Sequence, residues 1–454
     1  MARPSSLPIL TTCAVALLLT ASTVLASGAF RTRPAPESLC PGAGEGMVGY
    51  YDFGDEKDST KHLFFWFAES RNDPDQDPLI LWMSGGPGAS SVGFGLFQEL
   101  GPCQMTGPGT AEANKYAWNN NANVIFVDQP VRVGYSYSDN PATSLEETTE
   151  DMYQFIAAFV RRYPRFATQD FYIIGESAGG SYVPALAKAI DHRQSPDEGL
   201  GHINLRGIGL GNAQLSESLQ WPGFFATGCV SDAPLFNAST CAALDASIPE
   251  CVRMLEICAG ETTVCDAVLA HCRQQSVNLI VEAGLNPYDF RMECQDMGEC
   301  YPQQAWTRDH LDSAVARSAL GVAADQPLSM ISMEVNADLM KSGFSAMYSV
   351  TWVEELLEKD YRVLVYVGNK DWFCNVEGER QMVNGMQWSH QAGFRAMEER
   401  PWTVGAQESG TFKQLGNLAF AEIFDSGHMA PADKRAETLF LMNSWLNGTM
   451  QADR

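Results

Sequence analysis

Gly175-Glu176-Ser177-Ala178-Gly179-Gly180 places a serine among glycines directly after the apolar, β-prone run Phe171-Tyr172-Ile173-Ile174, and Tyr182 to Ile190 then reads as a helix. A Gly-x-Ser-x-Gly pattern between a strand and a helix is a nucleophile elbow, and its chemistry is nucleophilic attack by the serine hydroxyl. A serine becomes a nucleophile only beside a base that a third group orients, and these partners follow an elbow in the order acid, then histidine. Asp371 comes just after the apolar run Val363 to Gly368, and His428 just after Ala419 to Phe424. His62, His192, His202, His271, His310 and His390 follow no such run and read as surface or structural residues. Ser84-Gly85-Gly86-Pro87-Gly88 follows the run Leu79 to Trp82 and precedes a predicted helix reaching Leu100, so its N–H groups can meet a developing oxyanion. The residue after the nucleophile, Ala178, supplies the second donor. A phosphate or dinucleotide loop fits this stretch poorly, because no Gly-Lys-Ser/Thr or Gly-x-Gly-x-x-Gly follows and Pro87 has no N–H.

These residues need rigid elements behind them. Leu63 to Phe67, Leu79 to Trp82, Val124 to Asp128, Phe171 to Ile174, Ile208 to Leu210, Val363 to Gly368 and Ala419 to Phe424 are short, mostly continuous apolar runs, as expected of strands covered on both faces. Leu145 to Tyr163 and Ala432 to Leu446 carry helical periodicity between or after them. The alternation predicts an α/β fold with a mostly parallel sheet wrapped by helices. The rhythm breaks from about Ala213 to Ser345, which reads as an inserted, cysteine-rich cap.

Arg3, an apolar segment from Leu7 to Ala26 and the small residues around Ala26-Ser27 predict a secretory signal peptide over 1–26. Threonines and serines interrupt the segment too often for a membrane anchor, and no other stretch is apolar enough to cross a bilayer. The expected organisation is a short leader at 27–46, core at 47–212, cap at 213–345, core again at 346–447 and a tail at 448–454. A net charge of −25 argues against nucleic acid or an anionic membrane as partner and suits an acidic compartment. Eleven cysteines remain beyond the signal segment, eight of them between Cys229 and Cys300, as in a disulfide-stapled secreted protein. Zinc fits poorly, since the cluster lacks a tight Cys-x-x-Cys pair and holds His271 alone. Asn237-Ala238-Ser239 and Asn447-Gly448-Thr449 are glycosylation acceptors of the secretory route.

From Gly49-Tyr50 to about Trp445 the chain resembles the serine carboxypeptidases of the carboxypeptidase Y and cathepsin A type. The likeness rests on Phe65 to Pro74, Gly85-Gly86-Pro87-Gly88, Asp128-Gln129-Pro130, Val133 to Tyr137, Gly175-Glu176-Ser177, Gly368 to Asp371 and Gly427-His428-Met429. The resemblance implies an α/β-hydrolase fold with an inserted, disulfide-rich cap. It implies removal of single C-terminal residues from peptides at acidic pH through an acyl-enzyme, without metal or cofactor. Ser177, Asp371 and His428 would form the triad and Gly86 and Ala178 the oxyanion hole. Glu99 and Glu176, sharing a proton, would bind the substrate carboxylate with Gly85 and Ser84. It further implies the pairs Cys229–Cys241, Cys251–Cys272, Cys258–Cys265 and Cys294–Cys300 and a free Cys374 beside the site, leaving Cys40 for Cys103. The chain departs from the family pattern at Ser84, where asparagine is usual, at Ala178-Gly179 for Tyr-Ala, at Ser181 for histidine and at Asn369 for aspartate. Arg132 stands where Asn or Gly is usual and offers a cation for a carboxylate. The same motifs also suit a carboxypeptidase-like acyltransferase or esterase, or a non-catalytic protective partner of other lysosomal enzymes. Glu99 and Glu176 favour the peptidase, and the intact triad favours catalysis. The expected location is lysosomal, vacuolar or extracellular, and the expected state is a monomer or homodimer.

Overall fold

The computed structural model describes residues 28–54, 60–193, 202–230, 234–258, 265–294, 300–344 and 348–450. The signal segment and the last residues of the tail lie outside them. In chain order the strands are β1 (Ala29–Pro34), β2 (Gly46–Phe53), β3 (Lys61–Ala68), β4 (Leu79–Met83), β5 (Cys103–Gly107), β6 (Thr110–Ala113), β7 (Asn123–Val127) and β8 (Phe171–Ser177). They continue with β9 (Leu205–Ala213), β10 (Leu285–Asn286), β11 (Asp289–Glu293), β12 (Arg362–Gly368), β13 (Arg400–Val404), β14 (Gln407–Leu415) and β15 (Leu418–Ile423). Eleven of them form one sheet in the order β1-β2-β3-β7-β4-β8-β9-β12-β15-β14-β13. From β7 to β15 every neighbouring pair is parallel, and antiparallel strands flank this centre on both sides. This is the α/β-hydrolase arrangement.

Each central strand is apolar on both faces because each face has its own helical layer. Along β4, Leu79, Leu81 and Met83 enter one core and Ile80 and Trp82 the other, as a period of two requires. Phe171 and Ile173 against Tyr172 and Ile174 repeat the pattern in β8. The helix Leu145–Arg162 buries Met152, Phe155, Ile156 and Phe159 in the first core. It starts at Ser144, whose side chain accepts from the Glu147 N–H, and keeps Arg161 and Arg162 in its last turn, where cations meet the negative end of the helix dipole. A fully buried Phe of this kind contributes about 3–5 kcal/mol against truncation to alanine.

Between β9 and β12 the chain is mainly helical. The helices Ala238–Cys258 and Cys265–Gln274 are joined by Cys251–Cys272 and Cys258–Cys265, Cys229 is bonded to Cys241 and Cys294 to Cys300. Cys40 is bonded to Cys103, tying the N-terminal segment to β5. A third apolar cluster, with Trp221, Phe224, Leu255 and Trp372, packs this helical segment onto the loop after β12. Segments without strong patterning still pair: β1 lies on the sheet edge against β2, although sequence alone suggests no strand there.

Candidate active site

Ser84, Asp128, Ser177, Asn212, Asp371 and His428 all lie at or just beyond the C-terminal ends of parallel strands, where an open α/β sheet leaves a crevice. Ser177 ends β8 with φ of 60°, a left-handed conformation that costs a non-glycine residue about 1–2 kcal/mol. Its surroundings hold it there. Ser177 pairs with Ala213 on β9, and its carbonyl accepts from the Gln214 N–H at 2.9 Å. The sharp turn needs bare glycine beside it, since a Cβ at Gly180 would lie 2.4 Å from the Gln214 carbonyl oxygen. A Cβ at Gly85 would fall 2.6 Å from the Ala178 nitrogen, so the backbone of the loop after β4 runs directly against the elbow.

Asp371 is fully buried and its carboxylate is saturated by donors. Oδ2 accepts from His428 Nδ1 at 2.6 Å and from Asn212 Nδ2 at 2.8 Å, and Oδ1 accepts from the Phe373 N–H at 2.8 Å. With Nδ1–H committed to a carboxylate, the imidazole keeps Nε2 as its basic nitrogen. His428 donates its backbone N–H to the Tyr288 carbonyl at 2.7 Å, and its ring lies against the Tyr288 ring at 5.0 Å. Cys374 is free and buried, with its sulfur near Asp371 and His428, and burial pushes its thiol well above the usual range. Of the other described histidines, His62 bonds Asp52 and stacks on Tyr137, His310 Nε2 meets the Leu39 carbonyl, and His192, His202, His271 and His390 are exposed.

Glu99 and Glu176 are both buried, Glu99 on the helical segment Ser91–Leu100 and Glu176 at the end of β8. Their carboxyls face each other, and burial together with repulsion from Glu99 pushes Glu176 well above the ordinary carboxylate range, while burial, with a smaller push from Asp433, raises Glu99 to about 7. Two carboxyls can hydrogen-bond only with a proton between them. Arg435 donates to the carbonyls of Gln98 and Glu99, capping the helix end that carries Glu99. Ser84 Oγ accepts from Trp82 Nε1 at 3.0 Å, and its N–H donates to Ser91 Oγ, which fixes the hydroxyl and leaves its proton free to donate. Arg132 does not serve as a spare cation. Its guanidinium binds Glu334 and the carbonyls of Ser138 and Asp139.

A cavity of about 210 Å³ opens beside Gly86 and Tyr288. Leu215, Met340 and Phe344 give it apolar walls, and Glu217 and Arg273 bring it charge. Burial raises the Glu217 carboxyl and the facing Arg273 opposes the shift.

The family model for serine carboxypeptidases matches residues 37–448. This chain belongs to the serine carboxypeptidase family. It is 35% identical over 405 residues to carboxypeptidase Y homolog A of Sclerotinia sclerotiorum, covering 88% of this chain and 72% of that one. It is 33% identical over 432 residues to carboxypeptidase Y of Schizosaccharomyces pombe, covering 92% of this chain and 42% of the other. Among solved structures it resembles Kex1, a prohormone-processing carboxypeptidase from Saccharomyces cerevisiae, with a TM-score of 0.77 at 22% identity, covering 93% and 97% of the two chains; at that identity the likeness speaks to fold. The protein is accordingly a hydrolase of the serine carboxypeptidase type.

In this serine carboxypeptidase, several residues that support the site carry no motif of their own. Asn212 bridges Asp371 and the Gly368 N–H, which Asn212 Oδ1 accepts at 3.1 Å. Its signal was an asparagine ending a buried strand beside a glycine. Gln220 holds the loop after β9 by accepting from the Leu215 and Ser216 N–H groups and donating to the Ala213 carbonyl and to Glu379. Neither Gln220 nor Glu379 stands out in the sequence.

Proposed function

We propose that this carboxypeptidase cuts the last peptide bond through Ser177 as nucleophile, His428 as general base and then acid, and Asp371 as the group that orients His428. The 2.6 Å bond between His428 and Asp371 carries the reading, since it fixes the ring and stabilises the imidazolium that forms when Ser177 gives up its proton. Attack on the carbonyl forms a tetrahedral oxyanion for the N–H groups of Gly86 and Ala178. The imidazolium then protonates the leaving amine, which departs as the free C-terminal amino acid and leaves an ester on Ser177. Water, deprotonated by His428, hydrolyses that ester and restores the serine. Removing one oxyanion donor in such a site costs about a hundred- to thousandfold in kcat.

The α-carboxylate of the departing residue is gripped by Glu99 and Glu176 with the Ser84 hydroxyl and the Gly85 N–H. A carboxyl binds a carboxylate only while it holds a proton, and the raised pair supports proton retention in mildly acidic solution. Peptides and protein C-termini are therefore the substrates, best cut under acidic conditions, with residues 213–345 as the cap over the site. The disulfides, the exposed Asn237 and Asn447 and the acidic surface support passage through the secretory route to an acidic vacuole or lysosome. A phosphonofluoridate is expected to label Ser177, and a blocked dipeptide to release its free amino acid at about pH 5. Folded protein that resists labelling would overturn the reading, and ester turnover without amino-acid release would favour the acyltransferase or esterase.

A further inference from the structure

The pocket beside Gly86 holds a charged pair that the reaction does not use. Glu217 and Arg273 both face it, and their closest approach is 3.7 Å, an ion pair too long for a hydrogen bond. Beyond this, Arg273 lies over the Phe373 ring at 5.5 Å. Both groups are pinned. Glu217 begins the short helix Glu217–Gln220, whose cap Ser216 and preceding Leu215 are held by Gln220. Arg273 follows Cys272, which is bonded to Cys251, and Phe373 donates its N–H to Asp371. The pair therefore presents an acceptor and a donor group from anchored backbone, each with hydrogen-bonding capacity to spare.

Glu99 and Glu176 are absent from the pocket lining, which instead includes Gly86 and Tyr288. On the reading of the preceding section, the departing residue lies toward the two glutamates, so the pocket takes the residue on the acyl side of the cut bond. Its stem meets Leu215, Met340 and Phe344, and its end meets the charged pair. We propose that Glu217 and Arg273 together select acyl-side residues with an aliphatic stem and a carboxamide end, glutamine above all. An amide N–H₂ donates to Glu217 while its carbonyl accepts from Arg273. A lysine that pairs with Glu217 also meets Arg273, and a glutamate that pairs with Arg273 also meets Glu217, so each attraction is offset by a like charge that the neutral amide does not suffer.

The test compares kcat/KM at about pH 6.5 for N-blocked X-Leu dipeptides with X as Gln, Leu, Lys or Glu, each variant scored by ratios among its own substrates so that a general loss of activity cancels. Wild type is expected to favour Gln over both Lys and Glu by about tenfold, as a site built to hydrogen-bond its ligand should. Glu217→Gln leaves Arg273 unopposed and raises the Glu/Gln ratio about tenfold, and Arg273→Gln raises the Lys/Gln ratio by a similar factor. Wild type preferring Lys or Glu to Gln overturns the proposal, as do ratios unchanged within about twofold in both variants. If wild type cleaves none of the four dipeptides, the exopeptidase reading of the site fails and takes this inference with it; cleavage with the wrong ranking removes the inference alone.

Discussion

On the proposed reading, Glu176 is the side chain that separates this site from other serine hydrolases that share the elbow. Its neighbour Glu99 makes it more than a buried acid, because burial and the facing carboxyl together push Glu176 well above the ordinary carboxylate range. Replacing both with glutamine removes the titrating proton from the carboxylate grip but leaves amide donors in place. The expected result is about a tenfold lower kcat/KM at acidic pH, together with loss of the decline as pH rises through about 7, the level to which Glu99 is pushed. A pH profile for a blocked dipeptide checks this, and a decline as steep as in wild type would rule the pair out as the reader of the carboxylate. The elbow, Asp371, His428 and Glu176 were legible because each sits against a strand end or inside a motif. Arg132 misled, since a sequence shows that a cation is present but not that Glu334 and two carbonyls already occupy it.

At the scale of elements, the site is a set of strand ends tied together by buried polar groups. Asp128, just past β7, is the clearest case. Its carboxylate accepts from Ser90 Oγ at 2.6 Å, from the Val92 N–H at 3.1 Å and from the Tyr135 N–H at 3.1 Å. It thereby joins the start of the helical segment bearing Glu99 to the loop 129–136. Asp128→Ala strands these buried donors, and the expected cost is about 3 kcal/mol in urea unfolding with a matching loss of peptidase activity. A change below about 0.5 kcal/mol would show that the loops hold without it. Such ties escape sequence reading because the partners of Asp128 lie up to thirty-eight positions away, and those of Asn212 more than 150. The continuous apolar strands were readable, whereas β1, β13 and β14 owe their pairing to the edges next to them.

For the whole molecule, pH sets the balance between buried neutral carboxyls and exposed acidic charge. Glu99, Glu176 and the fully buried Glu379 are all raised, chiefly by burial. A carboxyl with a raised folded-state pKa adds stability that is complete below its unfolded value, about 4.3, and is lost as pH climbs through the folded value. Asp52 and Asp191 are held low by Arg31 and Lys359 against the effect of burial, so their contribution is lost in the opposite direction, below the ordinary carboxylate range. The two trends place maximum stability in mild acid, and repulsion within a net charge of −25 steepens the alkaline side. Thermal melts are expected to peak near pH 5 and to fall above about pH 7, less steeply for Glu379→Gln, which keeps the shape without the charge. A midpoint that holds or rises to pH 8 would contradict this account.

The sequence by itself determined the family and the layered core, because Ser177, Asp371 and His428 each stand at or past the end of a buried strand and strand alternation is written in neighbouring residues. Only the tertiary structure decided which charges face the substrate. Whether Arg132, Arg273 or Arg435 stands free depends on carbonyls and carboxylates brought from distant segments. Hydrophobic patterning acts over a few residues along the chain, whereas the partner of a buried charge is chosen by the packing of the whole fold.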